Sequence, residues 1–140
     1  MTMRKWLRAS AGTVVALISL IGVTASAHHS FTAEFDENKP VTLTGAVTEM
    51  RWSNPHGWIY IAVKGADGKV VNWGCETGAV NSLYRRGWRK EDLAVGTMLT
   101  IDGWQARNGT PTMNARSLLL PDGRRLFAGS SNSNAPTGSN

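Results

Sequence analysis

The stretch VTLTGAVTEM, residues 41–50, decides the fold class because its apolar and polar side chains alternate with a period of two. That period is typical of a half-buried β-strand, and the β-branched residues favour the same structure. Gly45 interrupts the strand and marks a bend or a close approach of another backbone. A long strand bent at a glycine is what a small closed barrel needs at a corner.

The same alternation continues through most of the sequence that follows. Residues 58–64 and 70–76 are predicted as strands two and three, and the Asp-Gly signal at 66–69 predicts a hairpin turn between them. Strand four begins after Gly96, and strand five covers residues 112–120. Five strands with this spacing predict an all-β domain.

Residues 77–87 form the one stretch with a helical pattern. Val80, Leu83 and Tyr84 give an apolar stripe, Thr77 is a candidate N-cap, and Gly87 is a candidate terminator. Three strands, one short helix and two strands match the order of a five-stranded, OB-like Greek-key barrel. A split sandwich of the same strands is the alternative.

The ends of the chain have different compositions from its middle. Residues 1–27 have a basic start, an apolar run and an Ala25-Ser26-Ala27 cleavage pattern, which predict a signal peptide. An uncleaved membrane anchor is the competing interpretation, but the apolar run is shorter than the roughly 20 residues that span a bilayer. We therefore expect a bacterial periplasmic or secreted protein with no stable membrane insertion after cleavage. An extended lead-in at 28–40, the OB-like domain at 41–127 and a disordered tail at 128–140 would follow.

Removal of the signal peptide changes the charge of the protein. Three of the 15 Lys and Arg residues lie in it and none of the 10 Asp and Glu residues does, so 12 basic and 10 acidic residues remain, a net charge near +2. This balance argues against a nucleic-acid partner, which would require a strongly basic surface.

The three histidines suggest a metal site. Cleavage after Ala27 would leave His28 with a free α-amine beside its imidazole, and His56 could add a third nitrogen in a histidine-brace arrangement. Cleavage after Ala25 would place His28 third in the mature chain, which also makes a tight chelate. Nitrogen ligands of this kind favour Cu(II), so copper is the expected ion, and His29 is a further candidate ligand. In the competing interpretation, all three histidines are incidental.

The mature chain has five tryptophans, which either fill the core or form a stacking surface for a carbohydrate or small aromatic ligand. Trp58 and Tyr60 share a strand face and are the best exposed pair. The candidate ligand-binding residues are Trp52, Asn54, Trp58, Tyr60, Trp73 and Glu76. The candidate carboxylates beside a metal are Glu34, Asp36 and Glu76.

Two further observations reduce the number of functional classes that fit the sequence. Cys75 is the only cysteine, so the chain forms no internal disulfide, and burial as a small apolar group is the favoured interpretation. The motifs of nucleophile elbows and phosphate loops do not occur. We therefore expect a protein that binds a metal ion or small molecule, or a structural or protein-interaction module of the cell envelope, rather than an enzyme. Copper redox chemistry at a histidine brace is the enzymatic alternative.

Four segments together resemble a family of small exported bacterial proteins of unassigned function. They are His-His-Ser-Phe at 28–31, Trp-x-Asn-Pro-His-x-Trp at 52–58, Asp-Gly-Lys-Val-Val-Asn-Trp at 67–73, and Leu-x-Arg-Arg-Gly-Trp at 83–88. The resemblance covers nearly the whole mature chain. It implies an exported OB-like barrel and brings no activity, substrate or cofactor. Cys75 departs from the family pattern, which implies that this thiol has no shared function.

Overall fold

A computed structural model describes residues 31–129, and most of these residues lie in β-strands. Each predicted strand is present, because the alternating stretches can bury one face while pairing on both edges. The elements in chain order are β1 (Phe35–Arg51), β2 (Trp58–Lys64), β3 (Val70–Glu76), α1 (Val80–Arg85), a 3₁₀ helix (Lys90–Leu93), β4 (Met98–Ala106), β5 (Thr112–Leu119) and β6 (Arg125–Phe127).

The strands form one sheet in the order β3-β2-β1-β4-β5-β6. All of these neighbours run antiparallel, and a parallel pairing of β3 with β5 closes the sheet into a ring. The closing contact covers Gly74–Glu76 of β3 and residues 112–114 of β5. The β-rich fold class with a helix between the third and fourth strands is thus confirmed, and β6 is a strand beyond the five predicted.

The core lies inside this ring. It is built from the inward-facing residue of each alternating pair, and Leu83 of α1 and Trp88 belong to the same buried cluster. Trp88 is fully buried, and its indole Nε1 donates a hydrogen bond to the carbonyl oxygen of Phe127 at 3.0 Å. A buried indole N–H thereby has the partner that it requires.

β1 is longer than the alternating pattern at 41–50 predicts. Its first part pairs with β4 and its last part with β2, so one strand of 17 residues serves two neighbours. Residues 35–40 of the predicted lead-in therefore belong to β1, and residues 31–34 are helical rather than extended. Gly45 is a point of close backbone approach, since a side chain there would overlap the carbonyl oxygen of Ala62.

The helix and the start of the tail also differ from the prediction, and hydrogen bonds explain both differences. Thr77 N–H donates to Gly57 O and Gly78 N–H to Ala128 O, so these residues pair outside the helix and α1 begins only at Val80. Thr77 does not cap α1, because its hydroxyl donates to Gly78 O. Ala128 is buried and hydrogen-bonded, so order extends into the predicted tail.

Asp102 joins three strands on the outside of the ring. Its carboxylate accepts hydrogen bonds from Thr42 of β1 at 2.8 Å, from Ser117 of β5 at 3.3 Å and from Arg125 of β6 at 2.7 Å. Partial burial alone would raise the pKa of Asp102, but the hydrogen bonds and the Arg125 charge outweigh it, so the pKa lies below its ordinary value.

We expect Asp102→Asn to lower the free energy of unfolding at neutral pH by about 2 kcal/mol, because it removes charge-assisted hydrogen bonds. A carboxyl with a depressed folded-state pKa stabilises the fold above its unfolded-state pKa, and this contribution is lost as the pH falls through the folded-state value. Urea unfolding from pH 7 down to pH 2.5 measures both effects. A variant with the wild-type stability and the wild-type acid slope would contradict this role.

Candidate functional site

The site is built around the segment 52–57, which connects β1 to β2. The Asn54–Pro55 peptide bond is cis, and the Ser53 hydroxyl donates to the carbonyl oxygen of His56 at 2.6 Å. Gly57 exchanges hydrogen bonds with the segment after β3, donating to Gly78 O and accepting from Thr77 N–H. The predicted turn is thus present, and its backbone is tied to the end of β3, where Glu76 lies.

His56 and Glu76 form the central pair of this site. His56 Nδ1 lies 2.8 Å from Glu76 Oε1. The imidazole side chain is 44% exposed, whereas the carboxylate is only 11% exposed. Because a carboxylate can only accept, the Nδ1 atom donates the hydrogen in this contact, and Nε2 is the ring nitrogen left for another partner. The pair therefore holds a partly exposed imidazole in a fixed orientation.

Glu76 occupies an environment that opposes its negative charge. Burial raises the pKa of Glu76 above its ordinary value, and the nearby Glu34 charge acts in the same direction. His56 and a hydrogen bond from the Asn114 side chain oppose this rise. A carboxylate held in this way is a strong acceptor for any donor that reaches it.

Trp58 and Tyr60 cover the outside of β2 and β3 beside this pair. Their ring centroids are 6.3 Å apart, and the ring planes differ by 23°. Both rings lie against Gly74, where an added Cβ would be 3.3 Å from the Tyr60 ring and 3.6 Å from the Trp58 ring. The absence of a side chain at Gly74 therefore lets both rings lie close to the sheet. Arg51 lies over the Tyr60 ring at 4.8 Å.

The structure brings some of the proposed ligand-binding residues together and places the others elsewhere. His56, Trp58, Tyr60 and Glu76 come together, and Asn54 is exposed in the adjoining turn. Trp52 instead packs on the helix side: it stacks on Tyr84 with centroids 5.3 Å apart and meets the edge of Trp88. Trp73 packs against the core.

Asn114 and Glu34 are neighbours of Glu76: Glu34 is a candidate carboxylate from the sequence, whereas Asn114 is not predicted. Asn114 reaches Glu76 through the parallel pairing of β3 with β5, which no periodicity in the sequence reveals. Glu34 lies near because its carbonyl oxygen accepts a hydrogen bond from Arg107 N–H beyond the end of β4. If the strand order had been known, the polar residue Asn114 at the closure of the ring would have been recognised as a neighbour of Glu76.

Within residues 31–129, no group of three or more His, Cys, Asp or Glu side chains is placed to hold a metal ion. His28 and His29 lie outside the described residues, so the predicted three-histidine site is not visible there. Cys75 is buried, as predicted, and burial raises the pKa of its thiol to about 12. A thiol in that state is a poor metal ligand and a poor nucleophile.

The part of the chain that the structure describes has no helix long and apolar enough to cross a membrane. Comparison with known families matches residues 16–115 to a family of unknown function, DUF6152. No curated protein and no solved structure matches the chain.

Proposed function

We propose that this chain, which belongs to the DUF6152 family, is an exported small-ligand-binding protein that binds copper, with His56 as the ligand from its folded domain. The observation that carries this proposal is the 2.8 Å contact between His56 Nδ1 and Glu76 Oε1. A histidine that binds a metal through one ring nitrogen almost always donates the other N–H to a carboxylate, a carbonyl group or water. His56 has such a partner before any metal is bound.

The Glu76 contact supports the proposal in two further ways. It fixes the orientation of the imidazole, and the carboxylate charge behind the ring favours a cation at Nε2. Copper(II) is the divalent ion that nitrogen ligands favour most strongly. Of the candidate carboxylates, Glu76 is the one that contacts a histidine within residues 31–129.

The other ligands and the cellular location are taken from the sequence. We propose that the α-amine and imidazole of His28, with or without His29, supply the remaining nitrogens after cleavage of the signal peptide. We also propose that the His-His-Ser-Phe and Trp-x-Asn-Pro-His-x-Trp segments are features of the family, since both contain the proposed ligands.

The test is intact-mass measurement and metal analysis of the exported protein, followed by calorimetric titration of the metal-free protein with Cu(II). We expect the mass to identify His28 or Ser26 as the first residue, and sub-micromolar Cu(II) binding that exceeds the uptake of a denatured control. No uptake above that control would overturn the copper proposal and favour a structural or interaction module of the cell envelope.

Glu76→Gln tests the supporting carboxylate. Removing the charge behind a metal-binding histidine typically costs 10- to 100-fold in affinity, so we expect Cu(II) binding to weaken by about that factor. Glu49→Gln is the matched control, because Glu49 is exposed and pairs with Arg51 rather than with a histidine. Equal Cu(II) affinities of the two variants would contradict the proposed role of Glu76.

A further inference from the structure

Three exposed turns between neighbouring strands share one arrangement of hydrogen bonds. In each turn an aspartate or asparagine precedes a glycine, and its side-chain oxygen accepts a hydrogen bond from the backbone N–H two residues later, at 3.0–3.1 Å. The glycine N–H donates to the carbonyl oxygen three residues earlier, and the glycine φ lies between 73° and 87°. The three pairs are Asp67-Gly68, Asn108-Gly109 and Asp122-Gly123. Of the three, only the turn between β4 and β5 has a side-chain amide, which can lose its nitrogen as ammonia.

Two hydrogen bonds at the Asn108 side chain favour attack at its carbonyl carbon, Cγ. The Oδ1 atom accepts from the Thr110 backbone N–H at 3.1 Å and from the Thr110 hydroxyl at 2.7 Å. A backbone N–H needs an acceptor, so this atom is the oxygen of the amide and not its nitrogen. When a nucleophile adds to Cγ, negative charge develops on Oδ1, and donors already directed at that oxygen stabilise it.

The nucleophile is the backbone nitrogen of Gly109, the next residue in the chain. Its addition to Cγ closes a five-membered ring, and groups joined in one chain react far faster than separate molecules. A Cβ added at Gly109 would have no atom from beyond its chain neighbours within 4 Å, so the glycine has room to rotate into the ring-closing position. The Gly109 N–H donates to Ala106 O at 3.1 Å, and water can replace this bond because the turn is exposed.

The other asparagines within residues 31–129 lack this combination. Asn54 precedes a proline, whose nitrogen has no hydrogen to lose. Asn72 and Asn114 lie inside β3 and β5, where closing the ring would break the pairing of the strand. Asn38 and Asn81 precede residues with a side chain, which restricts the rotation that ring closure needs.

We infer that Asn108 is a modification site, at which the side-chain amide is lost and aspartate and isoaspartate form without an enzyme. The inference goes beyond the proposed copper binding and uses none of the proposed copper ligands. It requires only water and the residues of the turn.

The reaction has two steps. The deprotonated Gly109 nitrogen bonds to Cγ of Asn108, the Cγ–Nδ2 bond breaks, and Nδ2 takes up one proton and leaves as ammonia. One water molecule then opens the cyclic imide and returns a hydrogen to the Gly109 nitrogen. Addition of the water oxygen at Cγ gives aspartate, whereas addition at the backbone carbonyl carbon of Asn108 gives isoaspartate. One water is consumed and one ammonia released, with no oxidation or reduction.

The two products differ in how they fit the turn. Aspartate fits, because Asp67 and Asp122 occupy the equivalent position in the other two turns and accept the same backbone hydrogen bond. Isoaspartate does not, because its link to Gly109 runs through Cβ and Cγ and adds one carbon to the backbone.

The residues on both sides of this turn are tied to other parts of the fold. Arg107 N–H donates to Glu34 O at 2.9 Å, and Gly74 N–H donates to Pro111 O at 3.0 Å. Gly74 is also the first residue of β3 that pairs with β5. A longer backbone in the turn therefore disturbs the closure of the ring.

The experiment is incubation of the folded protein in mildly alkaline buffer with a chelator, followed by tryptic peptide mapping with mass spectrometry. Trypsin releases residues 108–116 as one peptide, so Asn114 is an internal control for Asn108. We expect the amide at Asn108 to be lost at least about tenfold faster than that at Asn114. Isoaspartyl methyltransferase should label the product. A rate at Asn108 no higher than that at Asn114 would overturn the inference, and the chelator keeps this result independent of copper.

Thr110→Val tests the hydroxyl donor, since it keeps the backbone N–H and removes the second hydrogen bond to Oδ1. The net contribution of one hydrogen bond corresponds to about twofold to tenfold in rate, so we expect conversion at Asn108 to slow by about that factor. The wild-type rate in this variant would overturn the role of the hydroxyl group.

Asn108→Asp is the matched control for the effect on the fold, because it adds the charge without the extra backbone carbon. We expect this variant to keep the wild-type melting temperature. Aged wild-type protein enriched in isoaspartate should melt about 4 °C lower or more. Equal melting temperatures of aged and fresh wild-type protein would overturn the predicted effect on the ring.

Discussion

Cu(II) binding by the mature protein is expected to be lost in His28→Ala and, in a chain that starts at His28, to weaken by about 100-fold or more in His56→Ala. His28 is indispensable for either cleavage point, because its imidazole chelates the ion together with the nearby amine in both. The loss at His56 should be at least as large as the 10- to 100-fold typical of a carboxylate behind a ligand, since the ligand itself is removed. Calorimetry with competing chelators measures both affinities.

The His56→Ala variant also separates the two cleavage products. A chain that starts at Ser26 can surround Cu(II) with four of its own nitrogens, whereas a chain that starts at His28 needs a further nitrogen from His56. Wild-type affinity in His56→Ala would therefore show that the folded domain takes no part in copper binding. Copper binding that survives in His28→Ala would contradict the chelate itself.

Gly103→Ala is expected to lower the free energy of unfolding by about 3 kcal/mol or more. A Cβ at this position would overlap the carbonyl oxygen of Asn114 and lie 2.6 Å from the Met113 methyl carbon. The backbone of β5 cannot yield without disturbing its pairing with β4, so the overlap is not relieved by a rotamer change. Chemical denaturation compares the variant with the wild type.

Gly65→Ala is the control for this prediction. Its added Cβ would lie 2.9 Å from the carboxylate oxygen of Asp67, which is the end of an exposed side chain and can move away. We expect its stability to stay within about 0.5 kcal/mol of the wild type. A Gly103→Ala protein as stable as Gly65→Ala would show that β4 and β5 are less closely packed than the structure indicates.

Local patterns in the sequence predict the strands well where pairing is also local. The bounds of β2 and β3 agree with the predicted ones, because an Asp-Gly turn fixes their register and alternation assigns their faces. The face shared by Trp58 and Tyr60 follows from the same alternation. The helix prediction is less accurate, since the competing partners of Thr77 and Gly78 are distant in the sequence.

Pairing between distant residues is what the sequence could not predict. β6 has three residues, too few to show a period, and it forms because Leu126 and Phe127 pair with β5. The parallel contact of β3 with β5 leaves no local signal either. Asn114 therefore enters the site only through the structure, whereas the turn that contains His56 was predicted from its composition.

The ring is closed by a short parallel seam in which only three residues of β3 pair with three of β5. Glu76 and Asn114 lie on opposite sides of that seam, in β3 and β5. A ligand that bound both side chains would bind only when these strands are paired, so its binding free energy would add to the stability of the folded protein. At a concentration 100 times its dissociation constant, such a ligand would stabilise the protein by about 2.7 kcal/mol. The melting temperature of the protein should then rise with the concentration of such a ligand.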